Sequence, residues 1–333
     1  MSLVMDKIIS EVINSLNKKI NYKDNLDISR DNFVRVNKLD SNKKIAFIDG
    51  GNAELLKANN FSLQIIRVFG VVFQNNKKIK SMKNEFFLLA YSKAEGDKIN
   101  YGVEIFQIDG NKLVDEKDLL FDSFDETIKE GINRADISRV GDIGRKFAEL
   151  TFASIIADEL NESDILILDG NLRISYKNEN NYLNKLYEKG KNKGVFISAL
   201  AKSSQVFNDN GSCLIGDLGI VGADVNYPWY FKIKDNKYAI KLNKNSKYVF
   251  EFEVFDDIKI NEVLGCLISN CNDAVFPGYP YGLIVADRFA RISNWEKEYL
   301  INLFKIKAGR DWREIERYLN SVNSHTILDK ISF

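Results

Sequence analysis

Two carboxylates in this sequence occupy matching positions in separate apolar runs. Asp49 closes the run Ile45-Ala-Phe-Ile-Asp-Gly50, and Asp169 closes the run Ile165-Leu-Ile-Leu-Asp-Gly170. Each run has the composition of a buried strand, and the glycine after it lets another group approach closely. If the two strands are neighbours, the carboxylates lie side by side and repel one another, and a hard divalent cation relieves that repulsion. The pattern predicts metal-dependent chemistry.

A third carboxylate, Glu149, falls on the apolar side of a predicted helix. Phe152, Ala153 and Ile156 follow it at helical spacing, so we expect its side chain to face inward. A buried carboxylate is unfavourable unless it is paired or binds a metal. Arg145, one turn earlier, offers a simple salt bridge, and the sequence leaves both interpretations open.

The fourth carboxylate, Asp287, lies on a helix predicted to begin just after a proline-rich turn that contains Tyr279. It follows an apolar run from Leu283, which favours an inward orientation. The alternative is a surface position, with Asp287 paired to Arg288 or Arg291. If Asp287 faces inward, it joins the other carboxylates.

Other catalytic side chains are scarce. His325 is the only histidine, so a triad or a histidine-rich metal site would depend on one residue near the end of the sequence. Cys213, Cys266 and Cys271 are odd in number and show no C-x-x-C spacing, which argues against a disulfide framework and a thiolate zinc site. We expect buried, reduced thiols and carboxylate chemistry.

The composition of the chain limits the class of protein to which it can belong. The chain has 333 residues, of which 45% are hydrophobic and 28% charged, as is typical of packed soluble domains. Lys plus Arg and Asp plus Glu both number 47, so no net charge attracts nucleic acid, and a polyanion must meet a local patch. The longest apolar stretch, 61–73, is interrupted by Gln64 and Arg67 and is too short to span a membrane. No secretory signal is recognisable at 1–5, and we expect a cytoplasmic protein.

The first 43 residues read as a helical arm. Its apolar side chains recur at helical spacing, at Val4, Ile8, Ile9, Val12, Ile13 and Leu16. Such a face packs either on its own domain or on a partner, and the sequence leaves both open.

From residue 44 the pattern changes to strands. An opening meander is predicted at 45–49, 61–73 and 85–91, with 100–108 as a fourth strand or a continuation of the third, and a weak helix follows at 122–132. A helix at 143–160, a strand at 164–169, a helix at 180–193 and a strand at 195–200 then give two right-handed crossover units. The sequence therefore predicts an α/β fold with a mixed sheet flanked by helices.

The remainder divides into two sections. Residues 203–255 form a β-rich insertion or sheet extension, with strands at 229–233, 238–242 and 248–255. Four helices follow, at 260–271, 283–292, 295–306 and 312–322. We predict a single domain at 44–333, with a core at 44–202, the extension at 203–255 and C-terminal helices at 258–333.

The order of these acidic residues is that of the ribonuclease H-like nucleases, and the chain resembles their NurA family. The resemblance spans 45–293 and rests on five short motifs: Ile45-Ala-Phe-Ile-Asp-Gly50, Phe147-Ala-Glu-Leu150, Ile165-Leu-Ile-Leu-Asp-Gly170, Ile197-Ser-Ala-Leu-Ala-Lys-Ser203 and Tyr279-Pro-Tyr-Gly-Leu-Ile-Val-Ala-Asp287. Gly51 and Asn171 replace family hydroxyl residues, and Asp287 stands where the family commonly has histidine.

The resemblance implies a metal-dependent DNA nuclease of ribonuclease H-like fold. It implies 5′ to 3′ exonuclease activity on single- and double-stranded DNA and endonuclease activity on single strands, in DNA end resection and double-strand break repair. The implied partners are DNA, a second copy of the chain and a hexameric HerA-type translocase. The implied cofactor is a pair of Mn²⁺ or Mg²⁺ ions.

The same resemblance assigns roles to six residues. Asp49 would bridge the two ions, Asp169 would bind one and Glu149 the other, and Asp287 would complete the shell or orient water. Lys202 would neutralise charge on the scissile phosphate, with an ordinary surface lysine as the alternative. Tyr279 would contact the nucleotide, with packing within its turn as the alternative.

Two other classes of function fit parts of the sequence. Ile48-Asp-Gly-Gly51 resembles the phosphate-binding hairpin of actin-like and sugar-kinase ATPases, although the second half lacks a matching glycine pair. A non-catalytic adaptor of the same fold is the other alternative.

Four lysines form a basic cluster, at Lys77, Lys78, Lys80 and Lys83. The cluster indicates either a solvated hairpin tip or a surface that a nucleic-acid strand follows.

Overall fold

The computed structural model describes residues 2–17, 28–204, 206–207, 211–256 and 259–321, with side chains described from 4 to 14 in the first range. Within these ranges, eleven strands form one continuous sheet. The strands are β1 (Val34–Arg35), β2 (Lys44–Ala58), β3 (Phe61–Gln74), β4 (Lys77–Glu95), β5 (Lys98–Asp109), β6 (Phe121–Asp122), β7 (Ile165–Asp169), β8 (Phe196–Ala201), β9 (Trp229–Lys234), β10 (Lys237–Lys241) and β11 (Phe250–Val254). The helices are α1 (Ser2–Asn17), α2 (Arg139–Asp158), α3 (Glu179–Lys193), α4 (Leu214–Val221), α5 (Ile260–Leu267), α6 (Tyr281–Ala290), α7 (Asn294–Ala308) and α8 (Trp312–Asn320).

The strand order is β1-β9-β10-β11-β8-β7-β2-β3-β4-β5-β6. The central strands β2, β7 and β8 pair in parallel, and the pairs on either side of them are antiparallel. The predicted meander followed by two crossover units is therefore confirmed. The predicted β-rich section extends the same sheet, because β11 pairs with β8. The edge strand β1, from the predicted arm, pairs with β9.

The apolar residues of β2 alternate between two cores. Ala46 and Ile48 face α2 and α3, whereas Ile45 and Phe47 face α5 and α6. This alternation follows from the two-residue period of a strand, and it makes β2 buried on both faces. Asp49, two residues after Phe47, lies on the same face of β2 as Ile45 and Phe47 and therefore faces α6.

The prediction that the first strand ends at Asp49 is wrong. β2 continues through both glycines to Ala58, because Gly50 and Gly51 keep their antiparallel partners on β3. What ends here is the parallel pairing with β7, whose last register pair joins Ile48 to Leu168. Asp49 therefore lies where β2 loses one neighbour, and its side chain projects from the open part of the sheet.

The predicted helix at 122–132 is also wrong. This segment is a series of turns after β6, in which the Asp122 carboxylate accepts a hydrogen bond from the backbone N–H of Phe124. The Asp125 carboxylate does the same for Thr127. Such local hydrogen bonds compete with helical backbone bonds and explain the failed prediction.

Several other expectations concern side-chain exposure. The helix α1 forms as predicted, and its apolar residues from Val4 to Ile13 are between 49% and 61% exposed. Cys266 and Cys271 are buried, whereas the prediction of a buried thiol is wrong for Cys213, which is exposed.

Two remaining expectations concern His325 and membrane insertion. His325 lies outside the described residues. No helix in the described ranges combines the length and apolar character needed to cross a membrane.

The packing of α6 on β2 can be tested at Gly282. A Cβ atom there would overlap the buried ring of Phe47, so Gly282→Ala should lower the free energy of unfolding by about 1–3 kcal/mol. Gly219→Ala in α4 is the matched control, because its Cβ would meet only Val249 at 3.7 Å and should be neutral or stabilising. Urea unfolding measures both, and equal midpoints would contradict this packing.

Candidate active site

Asp49 and Asp169 come from the neighbouring parallel strands β2 and β7. Asp169 is the last residue of β7, and the chain turns away at Gly170, whose φ of 103° favours glycine. The backbone N–H of Gly50 donates to Asp49 Oδ1 over 2.8 Å. Both carboxylates continue the face of their strand that packs against α6. The sequence-based expectation that they lie side by side holds.

The third member of this site is Asp287, on α6. α6 can approach β2 closely because Gly51 has no side chain, and a Cβ there would collide with the carbonyl of Ala290. Asp49, Asp169 and Asp287 each offer a carboxylate oxygen, and these oxygens lie within 4.8 Å of one another. Three distant parts of the sequence thus converge on one point. We call these three residues the carboxylate group.

Lys202, one residue past β8, lies among the members of the carboxylate group. Its Nζ atom is 2.6 Å from Asp169 Oδ2, 2.8 Å from Asp287 Oδ1 and 3.9 Å from Asp49 Oδ2. Burial alone would lower the pKa of Lys202, but the carboxylates outweigh it and the pKa is raised. Lys202 therefore carries a full positive charge at neutral pH.

Tyr279 and Arg291 complete the surroundings. The buried Tyr279 hydroxyl donates to Asp169 Oδ1 over 3.3 Å, and burial beside these carboxylates raises the pKa of Tyr279. Arg291 Nη2 donates to Asp287 Oδ2 over 2.6 Å. Burial opposes ionisation of Asp287, but Lys202 and Arg291 outweigh it and lower its pKa. Asp287 thus makes both the inward contact and the arginine pair that the sequence left as alternatives.

Asp49 is the most perturbed member of the carboxylate group. It is 8% exposed, and burial together with the negative charges of Asp169 and Glu149 raises its pKa to about 9, although Lys202 opposes the shift. Asp49 therefore holds a proton at neutral pH when no further cation is present. A divalent ion would favour its ionised form and displace that proton.

Glu149 lies on the other side of β2. It is 3% exposed, as the helical pattern predicts, and it packs against Gly50, where an added Cβ would collide with its carboxylate. Arg145 forms an ion pair with Glu149 and also donates to the carbonyl of Gly50 over 3.3 Å. Burial raises the pKa of Glu149, although Arg145 opposes the shift. The salt bridge that the sequence offered as an alternative is formed, and a metal-binding role for Glu149 stays a prediction.

The donor set fits a hard divalent ion. The carboxylate group supplies oxygen ligands of the kind that Mg²⁺ and Mn²⁺ prefer, and these side chains are drawn from rigid strands and a packed helix. Arg145 and Arg291 belong to the surroundings of the site, and the sequence indicated them only as possible salt-bridge partners.

The predicted basic cluster lies on β4, just after the turn from β3. Lys80 pairs with Glu159, and Lys83 pairs with Glu85 and Asp109, so carboxylates balance part of its charge. These contacts favour the interpretation of a solvated hairpin tip over that of a nucleic-acid track.

Three antiparallel strands, β2 to β4, followed by the parallel strands β7 and β8 in one mixed sheet flanked by helices form an α/β fold of ribonuclease H-like type. The chain is similar in fold to the NurA nuclease from Sulfolobus solfataricus, with a TM-score of 0.57, 14% sequence identity, and coverage of 93% of this chain and 98% of that one. The resemblance to NurA that the motifs indicated is confirmed as a likeness of fold.

Two further solved structures are more distant. An endonuclease V from Ciona intestinalis, solved in complex with inosine-containing DNA, has a TM-score of 0.43 and 10% identity and covers 89% of this chain and 99% of that one. Human endonuclease V has a TM-score of 0.40 and 9% identity, with coverages of 78% and 91%. No protein-family model and no curated protein matches the sequence.

The raised pKa of Asp49 has a measurable effect on stability. Because its folded pKa of about 9 exceeds the value near 4 in unfolded chains, the stability linked to its proton is present at low pH and is lost as the pH rises towards 9. In metal-free protein, Asp49→Asn should therefore gain stability relative to the original chain between about pH 5 and about pH 9, by several degrees in melting temperature.

Thermal melts in EDTA across this pH range measure the trend. Asp235→Asn is the matched control, since the Asp235 side chain is 96% exposed and should give no such trend. A difference between Asp49→Asn and the original chain that stays constant with pH would contradict the raised pKa.

Proposed function

We propose that this protein is a metal-dependent nuclease that hydrolyses phosphodiester bonds. The observation that carries the proposal is the carboxylate group, whose three side chains come from β2, β7 and α6 and present oxygens within 4.8 Å of one another. Holding three carboxylates so close costs free energy, and that cost is understandable if the group binds divalent ions. The likeness of fold to a NurA nuclease supports the choice of substrate.

We assign the following roles to the chain's own residues. Asp49, Asp169 and Asp287 would hold the ions, Asp49 would be shared between them, and Glu149 would be a further ligand if its ion pair with Arg145 opened. When bound, such ions activate water and stabilise the leaving oxygen. Tyr279 keeps the Asp169 carboxylate in place through its hydroxyl.

Lys202 has a second role once its carboxylate partners bind ions. Its side chain is 41% exposed, so the ammonium can turn towards a scissile phosphate and neutralise charge that develops there. In the absence of ions the same ammonium neutralises the carboxylate group. Divalent ions and the Lys202 ammonium should therefore compete for the carboxylate group.

The nuclease proposal is tested by charge-neutral substitutions. Asp49→Asn and Asp169→Asn should each lower the rate of cleavage of end-labelled DNA in Mn²⁺ by at least about 100-fold, because each removes an ion ligand. The exposed Asp235→Asn should cleave at the original rate. Folding is checked by circular dichroism, and normal digestion by either site variant would refute the assignment.

The competition at Lys202 gives opposite effects on two measurements. Lys202→Met should raise Mn²⁺ affinity on the order of tenfold, because the competing ammonium is gone. It should also lower the single-turnover cleavage rate on the order of 100-fold, because charge on the phosphate is no longer neutralised. Isothermal titration and rapid-quench assays measure the two effects.

Lys202→Arg is the control, since it keeps the charge and should leave Mn²⁺ affinity near that of the original chain. Weaker Mn²⁺ binding by Lys202→Met would contradict the competition.

Finer features of the proposal rest on the sequence motifs and on the likeness to NurA. They are 5′ to 3′ exonuclease activity on single- and double-stranded DNA, endonuclease activity on single strands, and a role in end resection and double-strand break repair in the cytoplasm. They also include two Mn²⁺ or Mg²⁺ ions per site, assembly as a homodimer, and action with a HerA-type hexameric translocase. A neutral chain must contact DNA through local positive charge, and Lys202 and Arg291 provide such charge at the site.

The structure weighs against the ATPase alternative. A phosphate-binding hairpin would turn at Gly50 and Gly51, but both glycines lie inside β2 and pair with Val68 and Arg67 of β3.

Titration with Mn²⁺ distinguishes a nuclease from a non-catalytic adaptor. An adaptor should show no ion-dependent rise in melting temperature.

A further inference from the structure

A second cluster of charged side chains lies on β10, on β11 and on the segment after β7, and β11 pairs with the strand β8 that leads to Lys202. Lys237, Glu251 and Glu253 are respectively 6%, 2% and 6% exposed. Lys237 Nζ lies 2.7 Å from a carboxylate oxygen of each glutamate. Arg173 Nη2 is 2.6 Å from Glu251 Oε1, and its Nε is 3.3 Å from Glu253 Oε1. We call these four residues the ionic network.

Glu253 connects the network to the segment that follows Asp169. The backbone N–H of Leu172, three residues after Asp169, donates to Glu253 Oε2 over 2.7 Å, and Arg173 is the next residue. On the α2 side of the same segment, Lys146 Nζ donates to the carbonyl of Asn171 over 3.1 Å. The path of the chain just beyond Asp169 is therefore fixed from two sides.

Glu251 makes the corresponding connection to the segment that follows Lys202. The hydroxyl of Ser204, two residues after Lys202, donates to Glu251. Glu251 also stands opposite Ala201, the residue before Lys202, in the pairing of β11 with β8. Burial opposes ionisation of Glu251, but Lys237 and Ser204 outweigh it and lower its pKa. The carboxylate is therefore charged where it binds Ser204.

Packing alone does not account for this network. Ala199, which pairs with Glu253, belongs to the apolar core under α2 and α3, so apolar packing is available on this face of the sheet directly beside the network. Buried ion pairs commonly stabilise a protein no more than apolar side chains of the same size. What charged groups add is directed hydrogen bonding, which apolar side chains cannot give to the N–H of Leu172 or to the hydroxyl of Ser204.

We propose that Glu251 and Glu253 are positioning residues of the candidate active site, with Glu253 fixing the segment after Asp169 and Glu251 fixing the segment after Lys202. The proposal rests on the proposed nuclease function and names residues that neither the motifs nor the likeness of fold indicates. The two glutamates act through Asp169 and Lys202, and the distance from Lys202 Nζ to Asp169 Oδ2 is 2.6 Å. A small displacement of either segment changes the ion-binding geometry, whereas contacts to the rest of the DNA are unaffected.

The test compares Glu253→Gln with Glu104→Gln, a matched change at an exposed position on β5. Glu253→Gln keeps the size of the side chain but removes the charge that binds Leu172, Lys237 and Arg173. We expect Mn²⁺ affinity about tenfold weaker by isothermal titration, equivalent to about 1.4 kcal/mol. We also expect kcat to fall on the order of tenfold while KM for a DNA oligonucleotide changes less than about twofold.

Hydrogen exchange of the metal-free protein gives a readout that does not depend on nuclease activity. Amides at 170–173 should exchange faster in Glu253→Gln than in the original chain, and Glu104→Gln should leave them unchanged. Glu251→Gln should have the same effect on the amides at 203–204.

The outcomes separate the two proposals. If the original chain binds Mn²⁺ and cleaves DNA but Glu253→Gln matches it in affinity and kcat, the positioning role is overturned, even if the variant melts at a lower temperature. Unchanged exchange at 170–173 overturns it as well. If the original chain neither binds Mn²⁺ nor cleaves DNA, the nuclease proposal fails and the positioning role fails with it.

Discussion

Electrostatic repulsion among three carboxylates is the constraint on which the rest of the site depends. Two unit charges about 4 Å apart repel by about 4 kcal/mol in the effective dielectric of a protein surface. The carboxylate oxygens of Asp49, Asp169 and Asp287 lie within 4.8 Å of one another, and the repulsion is offset by the ammonium of Lys202 and by protonation of Asp49. Under the proposed function, divalent ions would replace both the proton on Asp49 and the Lys202 contact.

The fold brings the three carboxylates close together. The parallel pairing of β2 and β7 stops just before Asp49 and Asp169, so both side chains project from the same edge of that pair. The absence of a side chain at Gly51 lets α6 bring Asp287 over β2, and Gly50 gives room to Glu149 on the opposite face. The two glycines that suggested a hairpin in the sequence instead allow two helices to approach one strand.

Much of this arrangement was predictable because it depends on local patterns. The apolar runs before Asp49 and Asp169 indicated the strands, and the helical spacing around Glu149 indicated its burial. The extent of β2 was missed because glycine pairs usually mark turns, whereas here the pairing with β3 overrides that preference. The pairing of Lys202 with all three carboxylates and the connection of Glu253 to Leu172 join residues far apart in sequence, and no local pattern encodes them.

Crystals soaked in Mn²⁺ and measured at a wavelength where manganese scatters anomalously would test the central claim most directly. If the carboxylate group binds ions, anomalous density should lie beside the carboxylates of Asp49 and Asp169, and the Lys202 ammonium should have moved away from them. A map with no anomalous density between these residues, and with Lys202 still paired to Asp169 and Asp287, would contradict it.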